Sequence, residues 1–129
     1  MIIETCVSKH TLMIQLKAIL DDLSLSHNYI PPINHANNQG KPYLLVYSTH
    51  YEYVVKNGSE DIRHDLYLSR DEFIYQILKG IFYVEAGLYV LLYRKEGRDS
   101  ETMKIERQIY LMRYVDLEWA RRLEDELMN

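Results

Sequence analysis

The chain has 129 residues, enough for one hydrophobic core and too few for two independent ones. Hydrophobic residues make up 47% and charged residues 26%, ordinary globular proportions that exclude a disordered chain. Its 15 Lys and Arg stand against 19 Asp and Glu, with no basic run, so no concentrated positive surface for a nucleic-acid partner is legible.

The opening residues, MIIETCVSKH, lack the basic start and long apolar run of a signal peptide. Cys6 is the single cysteine and has no partner for an internal disulfide. Together these predict a reducing, cytoplasmic setting. An amphipathic helix is expected over residues 8 to 27, with Leu12, Leu16, Ile19, Leu20 and Leu23 on one stripe and Ser8 or Thr11 as its cap. Residues 28 to 42 hold all three prolines with Asn34, His35, Asn37, Asn38 and Gly40, the composition of a long loop.

Residues 43 to 48 and 51 to 56 are rich in Val, Leu and Tyr and read as strands. Asn57-Gly58 marks a hairpin turn, after which residues 60 to 68 pair back as a third strand. That strand alternates Ile62, His64, Leu66 and Leu68 with Asp61, Arg63 and Asp65. Ser69 and Glu72 have the spacing of a capping box. The long helix they open carries Phe73, Ile74, Ile77, Leu78, Ile81, Val84, Leu88, Leu91 and Leu92 to about Arg94. Gly80 and Gly87 weaken it by about 1 kcal/mol each relative to Ala, so each marks close packing or a bend. Gln76, Lys79 and Glu85 interrupt its apolar run, which argues against a membrane span. Glu85, if it faces inward, needs a cationic or hydrogen-bonding partner.

Two more helices are expected, one near residues 100 to 114 and one opened by Asp116 and bearing Trp119, Ala120, Leu123 and Leu127. The fold class is therefore α+β in a single domain: an N-terminal helix, a small antiparallel β-meander of three strands, then three C-terminal helices. The expected core is Leu16, Leu20, Phe73, Ile77, Ile81, Val84, Leu88, Ile109, Met112 and Trp119.

There is no glycine-rich phosphate loop, Cys-x-x-Cys, His-Glu-x-x-His or Gly-x-Ser-x-Gly, so no cofactor, metal or catalytic motif is expected. His50 and His64 fall on neighbouring strands, which leaves a small hydrolase or nuclease using this pair and a nearby carboxylate as the alternative. Twelve tyrosines are the one unusual count, and Tyr suits both strands and interfaces.

The second half of the chain resembles the immunity protein 63 family, bacterial antidotes found beside polymorphic toxins. The residues that carry the resemblance are Tyr51, Tyr53, Val54 and Val55 with Gly58, then Asp71, Glu72, Phe73, Ile74 and Tyr75. Ala86, Tyr89, Gln108, Glu118, Trp119 and Ala120 follow in order, and the likeness spans about residues 43 to 126. The chain departs from the family at Asp99-Ser100-Glu101-Thr102, where an Asp-Phe-Arg-Arg string is usual, and at Gly87 and Val90, where Ser and Glu are usual.

The resemblance implies an α+β fold and a non-catalytic, cytoplasmic inhibitor. It would bind a cognate toxin domain one-to-one, without direct nucleic-acid or membrane contact, in a polymorphic or contact-dependent toxin system. A nuclease toxin would present a basic groove, which acidic side chains steer toward and occlude. Two acidic surfaces are candidates. One combines Glu52, Glu60, Asp61 and Asp65 with Tyr43, Tyr47, Tyr51 and Tyr53 as anchors; the other is the C-terminal set Glu118, Glu124, Asp125 and Glu126. A regulatory interaction domain within a larger assembly is the remaining reading.

Overall fold

Ser8 is where the described chain starts; the computed structural model describes residues 8–129, so the reading of Cys6 lies outside it. The Ser8 hydroxyl accepts from the Thr11 backbone N–H at 3.2 Å and opens α1 (Lys9–Asp22). Leu12, Leu16 and Leu20 are its buried stripe. The helix ends five residues before the expected 27, because Ser24 turns left-handed (φ 57°) and Leu25 N–H bonds back to the Leu20 carbonyl at 2.8 Å. A 3-10 turn (His27–Tyr29) leads into the proline-rich segment, where Asn34 N–H and Leu44 N–H tie the loop to the first strand.

The sheet is antiparallel in the order β1 (Gln39–Val46), β2 (Tyr51–Asn57), β3 (Glu60–Tyr67). Asn57 pairs with Glu60, so the two loop residues of the second hairpin are Gly58 and Ser59. Only Gly58 has positive φ (64°), the pattern of a II′ turn with glycine first, one residue on from the expected Asn-Gly.

Side chains opposite one another in register share a face. Leu44, Val46, Tyr51 and Tyr53 therefore face the helices, and the cross-strand pair Tyr43 and Val54 lies on the other side, buried but outside the main core cluster. On β3 the polar set turns inward. Arg63 lies 4.0 Å over the Tyr53 ring and donates to Asp65, the Tyr67 hydroxyl and Gln76. With Arg63, Asp65 and Tyr67 on the inner side, Leu66 points outward and is exposed, as are Ile62 and Leu68.

The helix α2 (Arg70–Tyr93) is capped by Ser69, whose hydroxyl accepts from Glu72 N–H at 3.2 Å. The expected capping box is half formed, since the Glu72 carboxylate accepts from Arg122 and Gln76 instead. Phe73 stacks on Tyr51 at 4.7 Å, and Gly80 gives the Tyr53 hydroxyl room: a Cβ there would sit 2.7 Å from it. Gly87 faces open space and nothing in the packing explains it.

A short connection with Gly97 at φ 83° leads to α3 (Ser100–Val115), capped by Asp99, and Asp116 caps α4 (Leu117–Met128). The fold is α+β, as the element order predicts. Seven of the ten expected core residues are buried; Trp119 is half-buried, edge-on to Tyr75 at 5.6 Å. Val84 and Leu88 are 54% and 46% exposed. Beyond Ile81 the buried side of α2 shifts to Phe82, Glu85, Ala86 and Val90, where Glu85 meets Arg107 of α3, and this rotates Val84 and Leu88 outward.

Candidate functional site

Helices cover one face of the sheet; the other face carries Glu52 in the middle strand, opposite Leu66. The Glu52 carboxylate contacts His50 Nε2 at 2.9 Å through one oxygen and His64 Nε2 through the other. Its side chain is only 15% exposed. The bond from His64 pulls the Glu52 pKa below the ordinary carboxylate range, burial opposes this, and His50 adds to the lowering. Tyr47 stacks on the His50 ring at 4.6 Å in the turn between β1 and β2, so the turn and strand face form one continuous surface. Ile62 and Leu66, 58% and 57% exposed, supply its apolar area. Glu60 and Asp61 sit at the hairpin end, with Asp61 3.5 Å from Lys56.

Three residues of the sheet candidate set do not belong to this surface as free anchors. Tyr51 and Tyr53 are core residues turned toward α2, and Tyr43, although on the Glu52 face, is buried there. The alternation of a strand decides the first two: Tyr51 and Tyr53 flank Glu52, so they point to the opposite face. Asp65 is half-buried and held by Arg63 at 2.5 Å on the helix-facing side. Tyr47, Glu52, Glu60 and Asp61 remain on the accessible surface or its rim.

The C-terminal acids divide as well. Glu118, Glu124, Asp125 and Glu126 are all exposed, but Glu126 also accepts from Tyr75, Lys79 and Arg122. Arg122 also grips Glu72 at 2.6 and 2.7 Å and lies 4.0 Å over the Tyr75 ring. The Arg122 guanidinium holds Glu72 far down, to about 2. Glu126 therefore ties α4 to α2, which is a structural use of one candidate contact residue.

A feature that no local pattern revealed lies between the second half of α2 and α3. The basic residues form no run in the sequence, yet the helical hairpin gathers Arg94, Lys95, Arg98, Arg107 and Arg113 around a cavity of about 810 Å³. Glu85 is buried here with Arg107 at 2.8 Å, the cationic partner its inward position requires, and Arg107 stacks on Tyr89 at 4.2 Å. The signal was the antiparallel pairing of two helices, which a scan for charge runs does not register.

Among the described residues no group of three or more His, Cys, Asp or Glu is placed to hold a metal ion. The α2–α3 cavity and two smaller ones are lined by neither His50 nor His64. Fold and surface together define a small α+β domain whose outer sheet face leaves Ile62 and Leu66 exposed and buries Tyr43 and Val54. The family model described as Immunity protein 63 matches residues 47–129, and the chain belongs to that family, the immunity proteins of polymorphic toxins. Neither the curated proteins nor the solved structures compared with it give a match. The matched region runs from the turn at Tyr47 through α4 and so includes the Glu52 surface, the helical hairpin and the C-terminal acids.

Proposed function

We propose that this protein neutralises a cognate toxin domain in the cytoplasm by forming a one-to-one complex through the outer face of its sheet, without catalysis. Family membership over residues 47–129 carries the reading. The surface supports it: exposed Leu66 lies opposite Glu52, with Tyr47 and His50 at that end of the sheet, while exposed Ile62 lies toward the other end beside the acidic pair Glu60 and Asp61. A nuclease toxin is the class that fits such charge, because its basic substrate groove would be drawn to the acids and then covered. Glu118, Glu124 and Asp125 form the second, smaller acidic contact. Titrating the protein with the toxin encoded beside its gene tests the reading. A saturable complex at one-to-one ratio, with protection of cells making that toxin, is expected; no complex and no protection overturns it.

The approach of His50 and His64 to Glu52 favours a second reading, a small hydrolase or nuclease with Glu52 ordering two histidines. Hydrolysis of nucleic acid or a simple ester by the purified protein, lost in His64→Ala, would establish that reading in place of the first.

A further inference from the structure

We propose that the cleft between α2 and α3 is a docking site for an acidic peptide segment of a partner protein. The cleft lies toward the end of α2 away from the sheet: Phe73 and Gly80 meet the strands, while Tyr89 and Tyr93 line the cleft. The proposal therefore stands independently of the toxin contact at the sheet face.

Charge gives the first argument. Of the five cations around the cleft, two are already satisfied by carboxylates, Arg107 by Glu85 and Arg98 by Glu106 at 2.8 and 2.9 Å. Arg94, Lys95 and Arg113 line the same cleft, are exposed, and have no ion-pair partner among the described residues. Three free cations around one concavity of a chain with net charge −4 make a localised site for anionic groups.

Chemistry of the walls gives the second. Tyr93 and Tyr110 are exposed at the cleft, Tyr93 lies 4.9 Å from Tyr89, and Met103 forms part of the floor. Tyr and Arg are the residue types that dominate interface energetics, offering apolar area with a polar tip and bidentate grip on carboxylates. A cavity of about 810 Å³ is of the size that holds a compact ligand or a few side chains. Carboxylates suit its guanidinium groups, two of which already grip carboxylates of this chain. The oligonucleotide in the test below distinguishes a nucleic-acid strand from a peptide.

The test is fluorescence anisotropy with a labelled glutamate-rich peptide, alongside a single-stranded oligonucleotide of equal charge. The parent protein should bind the peptide, more weakly as salt is raised. Replacing Arg94→Gln, Lys95→Gln and Arg113→Gln together should weaken binding at least about tenfold. Tyr93→Ala should also weaken it, whereas Ile62→Ser with Leu66→Ser on the sheet should leave it unchanged. Unaltered melting curves confirm that the variants are folded. The proposal is overturned if the parent does not bind the peptide, if the triple variant binds like the parent, or if Tyr93→Ala has no effect, which would mean diffuse attraction. Tighter binding of the oligonucleotide, lost in the same triple variant, would assign the cleft to nucleic acid instead.

Discussion

The two faces of the sheet are built from alternate residues of the same strands, yet they serve different ends. The helix-facing side is aromatic and closed: Tyr51 stacks on Phe73, Tyr53 reaches Gly80, and Arg63 seals the edge over the Tyr53 ring. The outer side sets a half-buried carboxylate between two histidines and leaves Ile62 and Leu66 to solvent. Tyr51 and Tyr53 on the first side are packing, whereas Glu52, Ile62 and Leu66 on the second are the surface proposed for contact, beside a buried Tyr43 and Val54. A residue's type alone does not say which face it takes; its parity along the strand does.

Stability measurements sharpen this contrast first where the effect is largest. Tyr51→Ala removes a fully buried ring and should cost about 3–5 kcal/mol in chemical denaturation, with toxin binding following the folded fraction. A loss of binding in a protein of unchanged midpoint would instead place Tyr51 at the interface. Gly80→Ala should cost about 1 kcal/mol, because a Cβ 2.7 Å from the Tyr53 hydroxyl outweighs the gain in helix propensity. In a Tyr53→Phe background the same substitution should become stabilising, and no change of sign would mean the close approach costs nothing.

Glu52→Gln comes next, at about 1 kcal/mol near neutral pH. The folded protein holds the Glu52 carboxyl below its ordinary value of 4.5, so its contribution is present above that pH and is lost as pH falls through the lowered pKa. Parent and variant midpoints should therefore converge in acid. A gap that persists there would show that the substitution acts through packing rather than charge. Smallest is Ile62→Ser, whose exposed side chain should change stability by less than about 0.5 kcal/mol.

Much of this fold is legible in the sequence because local rules decide it. Ser8, Ser69 and Asp116 cap their helices, and the glycine after Asn57 makes the turn. What sequence patterns miss depends on neighbours far along the chain. Glu72 completes no capping box because Arg122, fifty residues on, competes for its carboxylate. Val84 and Leu88 continue the apolar stripe of α2, but α3 packs on the adjoining face. Ile62 and Leu66 alternate as an inward strand face should, yet Arg63 and Tyr67 take the inner side. The candidate surface was legible in part: Tyr47, Glu52, Glu60 and Asp61 lie on it or at its rim, while Tyr51 and Tyr53 fall to the core by parity.

Toxin binding at the outer sheet face is the central proposal. Its most direct test is the dissociation constant for the toxin encoded beside the gene, measured for the parent and for Glu60→Gln, Asp61→Asn, Leu66→Ala combined. The account predicts unchanged melting, slower association that loses its salt dependence, and at least about tenfold weaker binding. A parent that binds tightly and a triple variant that binds and protects equally well would contradict it.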